Sequence, residues 1–205
     1  MAENLVTKTL DWIVDVGVKG FGFLPSARDV AEHHRKACKT PEEAIDSVIA
    51  WRTAYTIGTG FMTGLGGIAT LPIAIPASLA SSYALGANTA AAIAILRGYD
   101  ENSDRVRTFV LLSLIGEGAT EILKVAGVNV GTKVTQNLIR QIPGKVLIEI
   151  NKKVGFRLVT KAGEKGVVNL MKLVPLVGGV VGAGFDSTFV NSCGKNAKRL
   201  FESIE

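Results

Sequence analysis

Between Arg52 and Arg97 the chain carries no Asp, Glu, Lys, Arg or His, a run of 44 residues from Thr53 to Leu96. No other feature limits the fold so strongly, because such a run must be hidden from water, in a core or in a bilayer. A span needs about 20 apolar residues, so the run is long enough for two, turned around Pro72 and Pro76. Its composition argues the other way. The first half is rich in Gly and Thr. Residues 77–96 are small rather than greasy, with Ser78, Ser81, Ser82, Asn88 and Thr89 among the alanines. A helix apolar on every side is a core helix or a membrane one, and small side chains suit close packing in both. The expectation is a buried central helix over 77–96; a membrane hairpin through 53–96 is the alternative.

Around this run the pattern is helical almost throughout. Residues 3–19 place Leu5, Leu10, Ile13, Val14 and Val18 near helical spacing, and Gly20, Gly22 and Pro25 end that segment. Residues 26–38 read as a short polar helix. Thr40-Pro41-Glu42-Glu43 is a strong helix start, with Thr40 as cap, Pro41 in the first turn and Glu43 completing a capping box. Pro76 opens the alanine-rich helix and Gly98-Tyr99-Asp100 closes it. Further helices are expected after Asp104, over 130–141, over 145–161 and at the C-terminal side through Leu200. Strand-like alternation is scarce. The fold class is therefore all-α, a single compact domain of about eight helices, with 1–39 as an N-terminal helical extension and 40–205 as the main body.

The net charge of +5 is not spread evenly. Residues 1–140 balance at 13 basic and 13 acidic, while 141–205 hold 10 basic against 5 acidic. A local basic excess attracts polyanions. Nucleic-acid surfaces interleave aromatics with their cations; here Phe156 is the single aromatic in 141–172. That favours an anionic membrane surface or a protein partner over nucleic acid. Lys153, Arg157, Lys161 and Lys165 follow one another at four-residue steps, beside a parallel stripe of Val146, Ile150, Val154 and Leu158. The layout fits a helix lying in a membrane interface. It fits equally a surface helix packing Val and Leu on the core with a solvated cationic face. The expected membrane-binding set is Lys145, Lys152, Lys153, Arg157, Lys161 and Lys165.

Catalytic and metal patterns are weak. His34 and Cys38 share a helical face, yet two candidate ligands do not make a zinc site, and an exposed pair of histidines, His33 and His34, is the simpler reading. Glu117 and Glu121 also share a face, with Lys124 near enough to pair with one of them. Asp186 follows a glycine cluster and suits a helix cap. No phosphate-loop or nucleophile-elbow pattern is present. No catalytic residue, metal or cofactor is expected. Cys38 and Cys193 are too few for a disulfide framework and read as reduced thiols in a cytosolic protein. The first residues, with Glu3 early, do not read as a secretory signal.

Three stretches together resemble the EcsC family, named for a bacterial protein encoded beside an ABC transporter. They are Gly67-Ile68-Ala69-Thr70-Leu71-Pro72 through Pro76-Ala77, then Ala94 to Asp100, then Gly163 to Asp186, with Phe109 to Leu114 between them. The resemblance implies a helical domain associated with membranes and without an agreed activity. It also implies an acidic residue between the prolines, where Ile73-Ala74-Ile75 has none, and a basic residue where this chain has Asn88. With both lost, apolar surface is expected there. The functional expectation is a non-enzymatic, cytoplasmic, membrane-peripheral protein. It would dock through the basic helix and hold a lipid or fatty-acid chain in an apolar pocket of Leu71, Pro72, Pro76, Tyr83, Asn88 and Phe109. The alternatives are an integral membrane hairpin accessory to a transporter, with a membrane-protein partner, or a lipid-modifying enzyme using Glu117, Glu121 or Asp186.

Overall fold

The computed structural model describes residues 2–59, 77–128, 136–170 and 178–201, with side chains at 5–56, 79–128, 136–160 and 187–201. Leu71, Pro72 and Pro76 lie outside the described residues, as do the side chains of Lys161, Lys165 and Asp186. Among the described residues there are nine helices: α1 Ala2–Lys19, α2 Ala27–Ala37, α3 Pro41–Thr59, α4 Ala77–Leu96, α5 Asp104–Ser113, α6 Gly118–Val125, α7 Gln136–Gln141, α8 Gly144–Leu170 and α9 Gly178–Leu200.

Local chemistry sets their ends. Thr40 Oγ1 accepts from the Glu43 amide at 3.2 Å, while the Glu43 carboxylate accepts from the Lys39 amide at 2.9 Å. The cap closes one residue earlier than a strict capping box, but both orphan donors find oxygen. Ser26 caps α2 by accepting from the Asp29 amide at 3.1 Å. At the end of α4 the Tyr99 amide reaches Ala94 O and the Gly98 amide reaches Ile95 O, the paired bonds of a Schellman turn. The apolar sequence from Val106 onward breaks into two helices at Gly116, whose φ of 76° no ordinary side chain adopts easily.

α4 is the centre. Ala80, Ala84, Leu85, Ala87, Ala90 to Ile93 and Ala94 are all within 1% of complete burial. It packs against α1, α2, α3, α5 and α9. Small side chains let these neighbours come close: a Cβ added at Gly17 of α1 would stand 2.6 Å from Ala87 Cβ and 3.0 Å from α4 backbone. Over 79–96 the charge-free run is thus the buried helix expected of it. α1 and α2 contribute Leu10, Ile13, Val14, Val30 and Ala31 to this core. α9 closes the far side against α3 and α4. Ion pairs fasten the periphery: Arg107 to Asp15 at 2.8 Å, Arg28 to Glu101 at 2.5 Å, Lys198 to Asp46 at 2.5 Å, and Arg97 to Glu42.

Candidate functional site

The basic helix α8 divides its two stripes sharply. Ile150 and Val154 are 0% exposed and Leu158 2%, with Val146 packed on the same core. The apolar stripe therefore faces α1 and α5, with Val146 alone partly exposed. What remains outward is different from what spacing alone indicates. Phe156 is 70% exposed and Ile148 59%, joined by Val125 of α6 at 61%. These three lie on the same side of the molecule as exposed Lys145 and Lys152 and half-exposed Lys153 and Arg157. Between α6 and α8 runs a groove of about 600 Å³ lined by Glu121, Val125, Lys152, Lys153, Phe156 and Arg157.

Two carboxylates temper the positive face. Arg157 Nη1 donates to Glu121 Oε2 at 3.1 Å, and Lys153 lies 3.8 Å from Glu149. Such exposed pairs contribute little to stability. Their effect is on the field: Lys145, Lys152, Lys153 and Arg157 still outnumber Glu121 and Glu149. Glu121 thus pairs with Arg157 across the helices. Glu117 precedes α6 at its N-cap position.

Tyr83, Asn88 and Phe109 face three different seams. Tyr83 donates its phenol proton to Leu158 O at 3.2 Å and packs on Phe189, ring centres 5.4 Å apart. Burial first, and Cys193 second, push its pKa up to about 12, so it stays a donor. Phe109 lies against Phe201 at 6.3 Å, and Phe201 in turn against Tyr99 at 5.1 Å. Asn88 is fully buried and committed on both ends. Its Nδ2 donates to Gly17 O at 2.8 Å and Pro25 O at 2.9 Å, while its Oδ1 accepts from Arg52. The apolar surface expected around Asn88 is a polar junction instead, because Arg52 reaches it from α3.

Arg52 itself carries no signal in sequence beyond marking the edge of the charge-free run. It is 0% exposed, and its guanidinium lies 4.7 Å from the centre of the Trp51 ring. Burial lowers its pKa to about 10, partly offset by Tyr55. Over it runs an aromatic row, with His34 to Trp51 at 5.7 Å and Trp51 to Tyr55 at 5.6 Å. His34 is buried, not exposed as its neighbour His33 is, because α2 turns it onto α3, where Nδ1 sits 2.9 Å from Ser47 Oγ. Among the described residues no three His, Cys, Asp or Glu side chains gather to hold a metal.

A mixed arrangement of this kind defines a class first: an all-α domain around one buried small-residue helix, with a basic and aromatic outer face. The EcsC protein family model matches residues 3–203, and the chain belongs to that family. No curated protein and no solved structure matches the chain.

Proposed function

We propose that this protein is a non-enzymatic helical domain that docks on anionic membrane surfaces through the outer face of α8 and α6. The observation that supports it most is Phe156, a large apolar ring left 70% exposed between Lys152, Lys153 and Arg157. Exposed apolar groups rimmed by cations suit a surface whose head groups are negative and whose interior is oily. Each lysine near such a surface contributes about 1 kcal/mol, and burying the Phe156 ring adds about 2 kcal/mol. Flotation with vesicles containing phosphatidylglycerol, against phosphatidylcholine alone, tests this. Replacing Lys145, Lys152 and Lys153 together by Ser removes about 3 kcal/mol, roughly a hundredfold in partition. Equal flotation of the wild type, this variant and Phe156→Ser would overturn the docking face.

A spanning hairpin is the second reading. Leu79–Leu96 is long and apolar enough to cross a bilayer, but 94% of that window is buried against the rest of the protein. A helix already covered by five others has no surface to offer lipid, so the core reading is preferred. Recovery of the protein in the aqueous phase when it is made without detergent distinguishes the two.

A further inference from the structure

A guanidinium is charged at every physiological pH, and removing one from water is favourable only where an anion or a full set of acceptors replaces the solvent. Among the described residues Arg52 has neither. Its fork reaches one neutral acceptor, Asn88 Oδ1, and its Nε has no hydrogen-bond partner. Asn88 is held by two backbone carbonyls, so it orients the guanidinium without neutralising it. Arg28, Arg97, Arg107 and Arg157 are all more exposed than Arg52, and each meets a carboxylate. Arg35, Arg105, Arg140 and Arg199 also meet no carboxylate among the described residues, but all four are more exposed; Arg52 is the deepest arginine and lacks a counter-charge. Its cover on one side is a movable group, the indole of Trp51, itself 43% exposed.

We propose that Arg52 anchors an oxyanion site at the α3–α4 seam, closed by Trp51, for a ligand bearing a carboxylate or phosphoryl group. The Nε–H and the neighbouring N–H groups of the fork pair side-on with two oxygens of such a group. Rotation of the Trp51 side chain uncovers the guanidinium without moving a helix. The flanking run from Thr53 to Leu96 supplies no carboxylate to compete. The site is separate from the outer face of α8, so either proposal can fail alone.

The test uses the full chain carrying Trp12→Phe, which leaves Trp51 as the one tryptophan of the original two. Sodium decanoate below its micelle concentration, decanol and inorganic phosphate are titrated at constant ionic strength, reading Trp51 fluorescence and thermal midpoint. A saturable response to decanoate or to phosphate, with none to decanol, supports the site. Decanoate acting alone marks an amphiphilic carboxylate, and phosphate acting alone marks a free or phosphoryl anion. In Arg52→Met the response drops at least tenfold. The ligand-free midpoint holds level or rises, because an unpaired buried charge is gone. Equal responses to decanoate and decanol, or no response to either anion, overturn the proposal. Should Arg52→Met fail to fold, that contrast among ligands still decides, with Arg52→Lys as the second variant. Lysine keeps the charge without the fork, and an undiminished anion response in it also counts against the site.

Discussion

α4 and α8 meet where the Tyr83 phenol reaches Leu158, yet they solve opposite problems. α4 has no charge and no outside. Its alanines and glycine let five helices approach, and a polar group survives there only by having every hydrogen bond answered, as Asn88 does. α8 has an inside and an outside, and its apolar stripe is spent on α1 and α5. Whatever α8 does for function is done by the side chains that the amphipathic pattern leaves over: Ile148, Phe156 and the lysines. Side-chain volume decides the place of a helix without charge, whereas charge spacing decides only which way a mixed helix turns.

Substitutions that treat the two helices alike should break this contrast or sharpen it. Asn88→Leu should have the largest effect, about 3–5 kcal/mol, because it strips Arg52 and two carbonyls of their partner at once; urea unfolding measures it, and a loss under 1 kcal/mol would mean that the junction is wet. Ile93→Ala should cost about 3 kcal/mol in the core of α4, while Ile148→Ala on the outer face of α8 should stay within about 0.5 kcal/mol. Similar denaturation midpoints for that pair would show that α4 is less enclosed than its burial indicates. Gly17→Ala comes next, at about 2 kcal/mol, since its new methyl meets α4 backbone. Gly118→Ala should cost under about 1 kcal/mol, because the atoms it meets are the mobile end of Arg157. Calorimetric midpoints of the two variants test that difference.

The smallest effect is a pH dependence. Burial first, then His33 and Arg52, hold the His34 pKa below its ordinary 6.5. The unfolded chain therefore binds the proton more readily, so the stabilisation is complete above pH 6.5 and declines as pH falls below it. The thermal midpoint of the wild type should drop further between pH 7.5 and 5.5 than that of His34→Gln. Parallel declines would assign the acid sensitivity to other groups.

Much of this was readable from residue order, and the reasons for the rest are physical. The burial of α4 follows from absent charge and small side chains, and the start of α3 from Thr40 and Glu43, all local properties. The direction of the Val146, Ile150, Val154 and Leu158 stripe was half legible: periodicity names a face but not what covers it. The Arg52–Asn88 contact joins residues 36 apart through the packing of two helices, and no spacing rule connects them. His34 looked like half of an exposed pair because its burial is imposed by α3, through Ser47 and Trp51. Of the residues grouped as a candidate pocket, Tyr83, Asn88 and Phe109 are all buried, as their apolar surroundings suggested, but burial alone does not bring side chains to one place.

The closure of α4 by α9 has a consequence for biogenesis. Thr53 and Asn191 meet across 138 residues, and Asp46 and Lys198 across 152. While the chain is being made, α4 leaves the ribosome well before α9 exists to cover it. For that interval α1, α2 and α3 are already made, but the side of this membrane-length helix that α9 covers is open. The native state buries 94% of the Leu79–Leu96 window, so the order of synthesis leaves an apolar helix waiting on the last helix for part of its cover.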